Sequence, residues 1–418
     1  GLNYMYLSDK GISKKDYDTN ICNILRTFNI DLVILIGYMK IVTSEFIDDY
    51  RGNIINVHPS LLPAYGGLMD QDVHNQIIEN NEKVTGCTIH HVTEEVDKGS
   101  IILQRQIVNF SHEVAILKAQ VQKLEAEAIV EVVKMWINKP INYKKSGVDV
   151  EEGNKLVENI KDISKHIGGF CSELKINNEI IGACCDGVGT KLKIAERLNN
   201  YKTIGIDLVA MSVNDLIASG IKPKYFLDYI AIDMMNISKC EDIIRGIKKG
   251  CELSDCELVG GETAEMRDVY MKNHFDLAGF AIGIKRFNIP DNTNICSGDY
   301  IYGMRSSGIH SNGFTLVNKL LKKHSYDLNE ILTPTKIYNE VFAIVEKYKD
   351  NFKGIAHITG GGFKDNISRI LPSNLTFELY DWDFPEVFKW IQEKSRMSRI
   401  DMLNTFNCGY GMVLILDK

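Results

Sequence analysis

No run of about 18 consecutive apolar residues occurs, so no segment has the length of a membrane-spanning helix. The longest apolar run, Leu32 to Ile36 followed by Gly37 and Tyr38, has the length of a buried strand. Positive charge is not in surplus either: 48 Lys and Arg stand against 55 Asp and Glu, a net charge of −7. That balance argues against nucleic-acid binding through a bulk positive field and leaves anionic ligands to local donors. Cys-x-x-Cys pairs and Cys/His clusters with zinc spacing are missing, which disfavours a structural metal. The cysteines therefore read as reduced, and the adjacent Cys184 and Cys185 as core residues whose side chains point apart along a strand. A Walker A loop, internal repeats and low-complexity tracts are also absent. The opening Gly1-Leu2-Asn3-Tyr4 lacks the basic and apolar regions of a signal peptide, so the expected location is the cytosol, that is, cytoplasmic.

What is present is 418 residues, 44% of them hydrophobic, which is material for two or three cores. Helical spacing of Ile21, Ile24, Leu25 and Phe28 precedes the apolar run at Asp31 to Ile36, and Ile54 to Val57 and Cys87 to Val92 read as strands. Val114, Leu117, Val121, Leu124, Ala128 and Val132 form one stripe of a long helix that Pro140 stops. The first region, residues 1–138, is thus expected to be α/β. The polar Asn138 to Ser146 contains the proline and marks a linker at 139–146. Mixed α+β elements follow: strands at Glu179 to Cys185, Tyr225 to Ile232, Cys256 to Val259 and Asp276 to Ile284, with helices after Lys191 and from Ile206 to Ala218. Boundaries are expected at 147–298 and 299–418.

Two constellations carry chemistry. In Asn56-Val-His58-Pro-Ser-Leu-Leu-Pro63, a carboxamide and an imidazole project to one side of a strand end, with Pro59 and Pro63 stiffening the loop. Such a pair suits acyl or formyl transfer to an amine, which needs oxyanion donors and a route for a proton. Asp97, after the Cys87 to Val92 strand, is placed to hold His58 charged or relay that proton if the fold brings it close. The strings Gly37-Tyr-Met-Lys-Ile41, Asn56-Val-His-Pro-Ser-Leu-Leu-Pro-Ala-Tyr65, Thr85-Gly-Cys-Thr-Ile-His90 and Glu95-Val-Asp-Lys-Gly99 resemble the glycinamide ribonucleotide transformylase family. The resemblance implies a Rossmann-like formyltransferase fold, 10-formyltetrahydrofolate as formyl donor, Asn56, His58 and Asp97 as the catalytic triad, and Met39 and Ile41 in the folate pocket. The first βα unit of that family, with its Gly/Ser-rich phosphate loop, is not in this sequence. A weaker hold on a substrate phosphate is the expectation.

The second constellation combines glycines with carboxylates. Asp186-Gly-Val-Gly-Thr-Lys191 joins a strand to a helix, Val213-Asn-Asp215 lies late on an apolar helix, and Gly260-Gly-Glu-Thr-Ala-Glu-Met266 follows a strand. If Asp186, Asp215 and Glu262 converge, they offer hard oxygen ligands for Mg²⁺ in phosphoryl transfer, with Asp207 and Asp228 as supporting groups or structural acceptors. These strings, with His310-Ser-Asn-Gly313, His357-Ile-Thr-Gly-Gly-Gly362 and Phe406-Asn-Cys-Gly409, are similar to the phosphoribosylformylglycinamidine cyclo-ligase family from Tyr143 to Met412. The resemblance implies an ATP-binding fold of two subdomains, a homodimer, and ATP with Mg²⁺ acting on small phosphoribosyl substrates. It places ATP against Asp186, Gly187, Gly189, Thr190, Lys191, Gly260 and Gly261, and a phosphate against Ser307, His310, Ser311 and Asn312. His310 is expected to serve as acid, base or substrate-orienting group, and His357 as a core histidine or a catalytic one. The approach near Ile167-Gly-Gly-Phe170 is shorter than usual for that family, which implies weakened ATP affinity. The reading is a fusion of two purine-biosynthesis chemistries. The alternatives are a scaffolding first region ahead of a working cyclo-ligase, or another kinase or synthetase of the same ATP superfamily.

Overall fold

The computed structural model describes residues 4–418 apart from 29, 70, 110, 139, 142–145, 161–162 and 164–168. The chain forms two compact units, residues 1–139 and 140–418. Most of the expected linker, the start of the Tyr143 string, and Ile167 with Gly168 lie outside the described residues.

In the first unit, β1 (Val33–Leu35), β2 (Ile54–His58), β3 (Val84–His91) and β4 (Ile101–Val108) form one sheet in that order. β1 and β2 are parallel, and the β2–β3 and β3–β4 pairs are antiparallel. The helix Val114–Ile137 packs its stripe onto this sheet: Leu117, Val121, Ala128 and Val132 are buried with Ile55, Val57, Cys87 and Ile89. Each such aliphatic side chain contributes roughly 1.5–3 kcal/mol of burial. β4 was not expected from the sequence, because Gln104-Arg105-Gln106 interrupts its apolar ends; Leu103 and Ile107 pack on the core, and Gln104 Nε2 donates to the Leu62 carbonyl and to Thr88 Oγ1, each at 2.9 Å.

The second unit is built on two sheets. β5 (Ser172–Ile176), β6 (Glu179–Gly187), β7 (Ile221–Ile232), β8 (Glu257–Glu265) and β9 (Phe275–Lys285) form a sheet in the order β5-β6-β9-β7-β8. Only β7 and β8 run parallel, joined by the helix Ile237–Ser254 in a βαβ unit. β10 (Tyr300–Arg305), β11 (Phe352–His357) and β12 (Tyr410–Leu416) form an antiparallel sheet in the order β10-β12-β11. The helix Ile204–Ala218 is buried along almost its whole circumference, as expected for a helix that is apolar all round. Its Leu208, Val209 and Val213 share one core with Phe226, Leu316 and Phe388, so the expected 147–298 and 299–418 regions have separate sheets but a common interior.

The Gly260-Gly261 segment is a correction. It lies within β8, not in a loop after a strand. Cys185 is a second correction: Cys184 faces inward and donates to the Ser212 carbonyl at 3.0 Å, whereas Cys185 is exposed on the other face. Among the described residues no helix is long and apolar enough to cross a membrane.

Candidate active sites

In the first unit the β2–β3 register puts Asn56 directly opposite His90. Asn56 Nδ2 lies 3.3 Å from His90 Nε2 and 3.5 Å from Asp97 Oδ1. Asp97 enters from the turn after β3 with φ 54°, in the left-handed region that Asp tolerates better than most residues. Its Oδ2 accepts the Gly67 N–H at 2.9 Å and lies 3.3 Å from His58 Nδ1, while Oδ1 lies 3.4 Å from His90 Nε2. The structure therefore brings Asn56, His58 and Asp97 together and adds His90, which sequence reasoning quoted in a motif but gave no role. The hydrogen bond from His90, then the Gly67 N–H and the His58 ring, hold the Asp97 carboxyl down at about 2 against the opposing effect of burial.

His58 is almost fully buried, and burial pushes its imidazole below the ordinary range, with Asp97 and the Tyr65 carbonyl acting against that shift. Its Nε2 lies 3.1 Å from the Tyr65 carbonyl. A neutral His58 donating there presents a bare Nδ1 to Asp97, and a proton arriving on Nδ1 completes an ion pair. Asn56, His58 and Asp97 line a cavity of about 240 Å³ whose lining also includes Met39 and Ile41, both half-exposed.

The second unit holds a cavity of about 370 Å³ between the end of β6 and the loop 311–315. Asp186, Gly187, Gly189 and Thr190 form one wall; Ser311, Asn312 and Thr315 form the other. Gly189 has φ 70°, which a side-chain-bearing residue rarely adopts, and this lets the chain turn from β6 into a short 3₁₀ segment and the helix Leu192–Leu198. The walls are tied together where Thr190 Oγ1 meets Thr315 Oγ1 at 3.1 Å and Asn318 Nδ2 donates to the Thr190 carbonyl at 2.8 Å. Asn312 Nδ2 is buried without a partner among the described residues, a donor left over at the cavity wall.

Asp186 and Asp215 are close enough to repel. Burial first, and Asp215 second, push the Asp186 carboxyl up to about 6. Asp215 Oδ1 accepts from His357 Nδ1 at 2.8 Å, so the partner of this fully buried histidine is a carboxylate. Its Nε2 has no partner among the described residues.

Several expected contacts do not form. Asp186, Gly279, Asp228 and Gly261 occupy one row across β6, β9, β7 and β8, so Gly261 lies about 14 Å from Asp186 at ordinary strand spacing. Glu262, one residue on, turns to the opposite face of the sheet and is exposed. Asp186 and Asp215 thus meet without Glu262, and no group of three or more His, Cys, Asp or Glu suited to a metal occurs among the described residues. Gly260 and Gly261 lie on an edge strand away from the cavity; a Cβ on Gly261 would stand 2.4 Å from Asp228 Oδ1, which explains that glycine without a nucleotide.

Lys191 points away from the cavity, fully buried, with Nζ donating to Asp207 Oδ1 at 2.8 Å and to the Thr333 carbonyl at 2.7 Å. Ser307 gives its hydroxyl to the Pro334 carbonyl at 2.6 Å and does not line the cavity. His310 is 2% exposed, its Nε2 accepts the Ser307 N–H at 3.3 Å, and burial pushes it well below the ordinary histidine range. His310 is not among the residues that line the cavity.

Residues 5–133 match the family described as formyl transferase, residues 168–285 the AIR synthase related protein, N-terminal domain, and residues 297–418 its C-terminal domain. The chain is 44% identical over 292 residues to the chloroplastic phosphoribosylformylglycinamidine cyclo-ligase of Arabidopsis thaliana, covering 66% of this chain and 75% of that one. It is 40% identical over 304 residues to the enzyme of the same name from Neisseria meningitidis, covering 66% of this chain and 88% of that one. Among solved structures, glycinamide ribonucleotide transformylase 1 from Symbiobacterium toebii is similar at 34% identity and a TM-score of 0.28. The match covers 30% of this chain and 57% of that one, less than two thirds of the transformylase's length.

Proposed function

Because the chain belongs to the phosphoribosylformylglycinamidine cyclo-ligase family and carries a formyl transferase domain ahead of it, we propose that its second unit closes formylglycinamidine ribonucleotide to aminoimidazole ribonucleotide, a step of purine biosynthesis, with ATP converted to ADP and phosphate. The observation that carries this reading is the cavity whose two walls are the Asp186 turn and the loop 311–315. A formamide oxygen is a poor leaving group. Its attack on the γ-phosphorus of ATP releases ADP and turns it into a phosphate ester; the amidine nitrogen then adds to the activated carbon, phosphate departs with the C–O electron pair, and the nitrogen loses a proton. Backbone N–H groups at Gly189 and Thr190 and the spare Asn312 amide suit anionic oxygens.

Two repelling carboxylates, Asp186 and Asp215, fit a divalent cation better than they fit one another. Asp186 and Asp215 would hold such a cation, which would supply positive charge to the triphosphate. His357 orients Asp215 for that task through its 2.8 Å bond.

For the first unit the proposed reaction is formyl transfer from 10-formyltetrahydrofolate to the amine of glycinamide ribonucleotide. The amine attacks the formyl carbon; Asn56 donates to the oxyanion and the charge of a protonated His58, balanced by Asp97, stabilises it; the bond from the formyl carbon to N10 of the folate then breaks, and tetrahydrofolate leaves with the proton that the amine loses. Homodimerisation is proposed through the outer face of the five-stranded sheet, where Tyr225, Val259 and Phe280 are each more than 40% exposed.

The test is two separate assays of the full chain. ADP release dependent on formylglycinamidine ribonucleotide is expected, and its absence with that substrate would overturn the cyclo-ligase reading. Folate-dependent formylation of glycinamide ribonucleotide is also expected; its absence with ring closure intact would leave the first unit a scaffold.

A further inference from the structure

A fully buried ion pair lies beneath the cavity and is not explained by ligand contact. Lys191 and Asp207 are both 0% exposed. Asp207 Oδ1 accepts from four donors: Lys191 Nζ at 2.8 Å, the Thr335 N–H at 2.8 Å, Thr335 Oγ1 at 2.6 Å and Ser311 Oγ at 3.2 Å. Lys191 also holds the Thr333 carbonyl and lies 5.5 Å from the centre of the Phe314 ring. About two helical turns further on, Asn214 donates to the Lys336 carbonyl at 2.8 Å and accepts the Tyr338 N–H at 3.1 Å. Segment 333–338 is thereby laced along one side of the helix Ile204–Ala218, and that helix's Met211 lines the cavity.

Burying an ion pair rarely adds net stability over an apolar filling of the same shape, because desolvation offsets the attraction. What this pair does is geometric. The pair and its partners come from four separate stretches of chain, and two of its immediate neighbours, Ser311 and Phe314, flank the spare Asn312 amide in the cavity wall.

We propose that Lys191 and Asp207 are positioning residues for the nucleotide: they clamp Ser311 and segment 333–335 to the first half of the unit and so fix the height of the 311–315 wall over the Asp186 turn. The inference rests on the reading of that cavity as the ATP site. Loss of the clamp loosens triphosphate binding and leaves the ring-closing substrate's own contacts in place.

The test uses the full chain with Lys191→Met, which removes the charge at similar length, and Thr335→Val, which removes the 2.6 Å hydroxyl bond with no change of shape or charge. Thr335→Val serves where Lys191→Met fails to fold. Steady-state kinetics should show KM for ATP raised about tenfold in either folded variant, with KM for the phosphoribosyl substrate and kcat within about threefold of the parent. Lys191→Arg should recover part of the ATP affinity. A folded Thr335→Val variant with a lowered melting temperature and an unchanged KM for ATP would reduce the network to a structural role and overturn the clamp. Wild-type turnover that does not saturate with ATP would instead sink the nucleotide reading beneath it.

Discussion

The two candidate sites treat a carboxylate in opposite ways. Asp97 is surrounded by donors, His90, the Gly67 N–H and His58, and is held down at about 2. Asp186 faces burial and a second carboxylate, and is pushed up to about 6. The first environment is complete as it stands, which suits a group that orients an imidazole and balances its charge. In the second, His357 is bonded to Asp215 and offsets the repulsion only in part, which suits a group awaiting a cation and a triphosphate. The same side chain thus announces proton chemistry in one unit and phosphoryl chemistry in the other, through its neighbours alone.

The largest expected effect is that of Asp186→Asn, which should lower ADP release by a factor on the order of 10³ while the far-ultraviolet dichroism stays that of the parent. Unchanged turnover would erase the contrast on the phosphoryl side. Asp97→Asn should reduce formyl transfer by about 10² to 10⁴, because His58 loses the anion that stabilises its charged form. Ring closure measured on the same preparation should not move.

The Asp97 environment also has a pH signature. A carboxyl that titrates near 2 when folded, against an ordinary 3.8, contributes stability that is present above about pH 4 and lost as the pH falls through about 2. Acid unfolding followed by a first-unit probe should lose this slope in Asp97→Asn; a slope that persists would assign it to other groups.

These sites were unequally legible in the sequence. Asn56 and His58 two apart at a strand end told their own story, because strand alternation fixes which side a residue faces. Asp186 was legible for another reason: a carboxylate followed by two glycines at a strand-to-helix junction marks a tight turn that carries a charge. His90 was missed because its partner across the sheet depends on register, which no local pattern states. Lys191 misled for a physical reason: a cation after a glycine turn reads as a phosphate donor, and nothing local tells that its side chain runs inward to Asp207. The Gly260-Gly261 pair read as a loop because two glycines usually mark a turn, whereas here Gly261 makes room for the Asp228 carboxylate inside a strand.

Smaller effects follow from that last correction. Gly261→Ala should destabilise the fold by about 1–3 kcal/mol through the clash with Asp228, read as a lowered melting temperature. Glu262→Gln, on the far face of the sheet, should leave ring-closure kinetics within about twofold of the parent. A large loss of turnover in that variant would return Glu262 to the site.

The central claim, that the triphosphate sits between the Asp186 turn and the 311–315 loop, is tested most directly by hydrogen exchange of the full chain with and without Mg²⁺ and a non-hydrolysable ATP analogue. The account predicts slowed exchange in residues 186–191 and 311–315 with 257–265 unaffected. Protection confined to 257–265, with the two cavity walls exchanging as before, would contradict it.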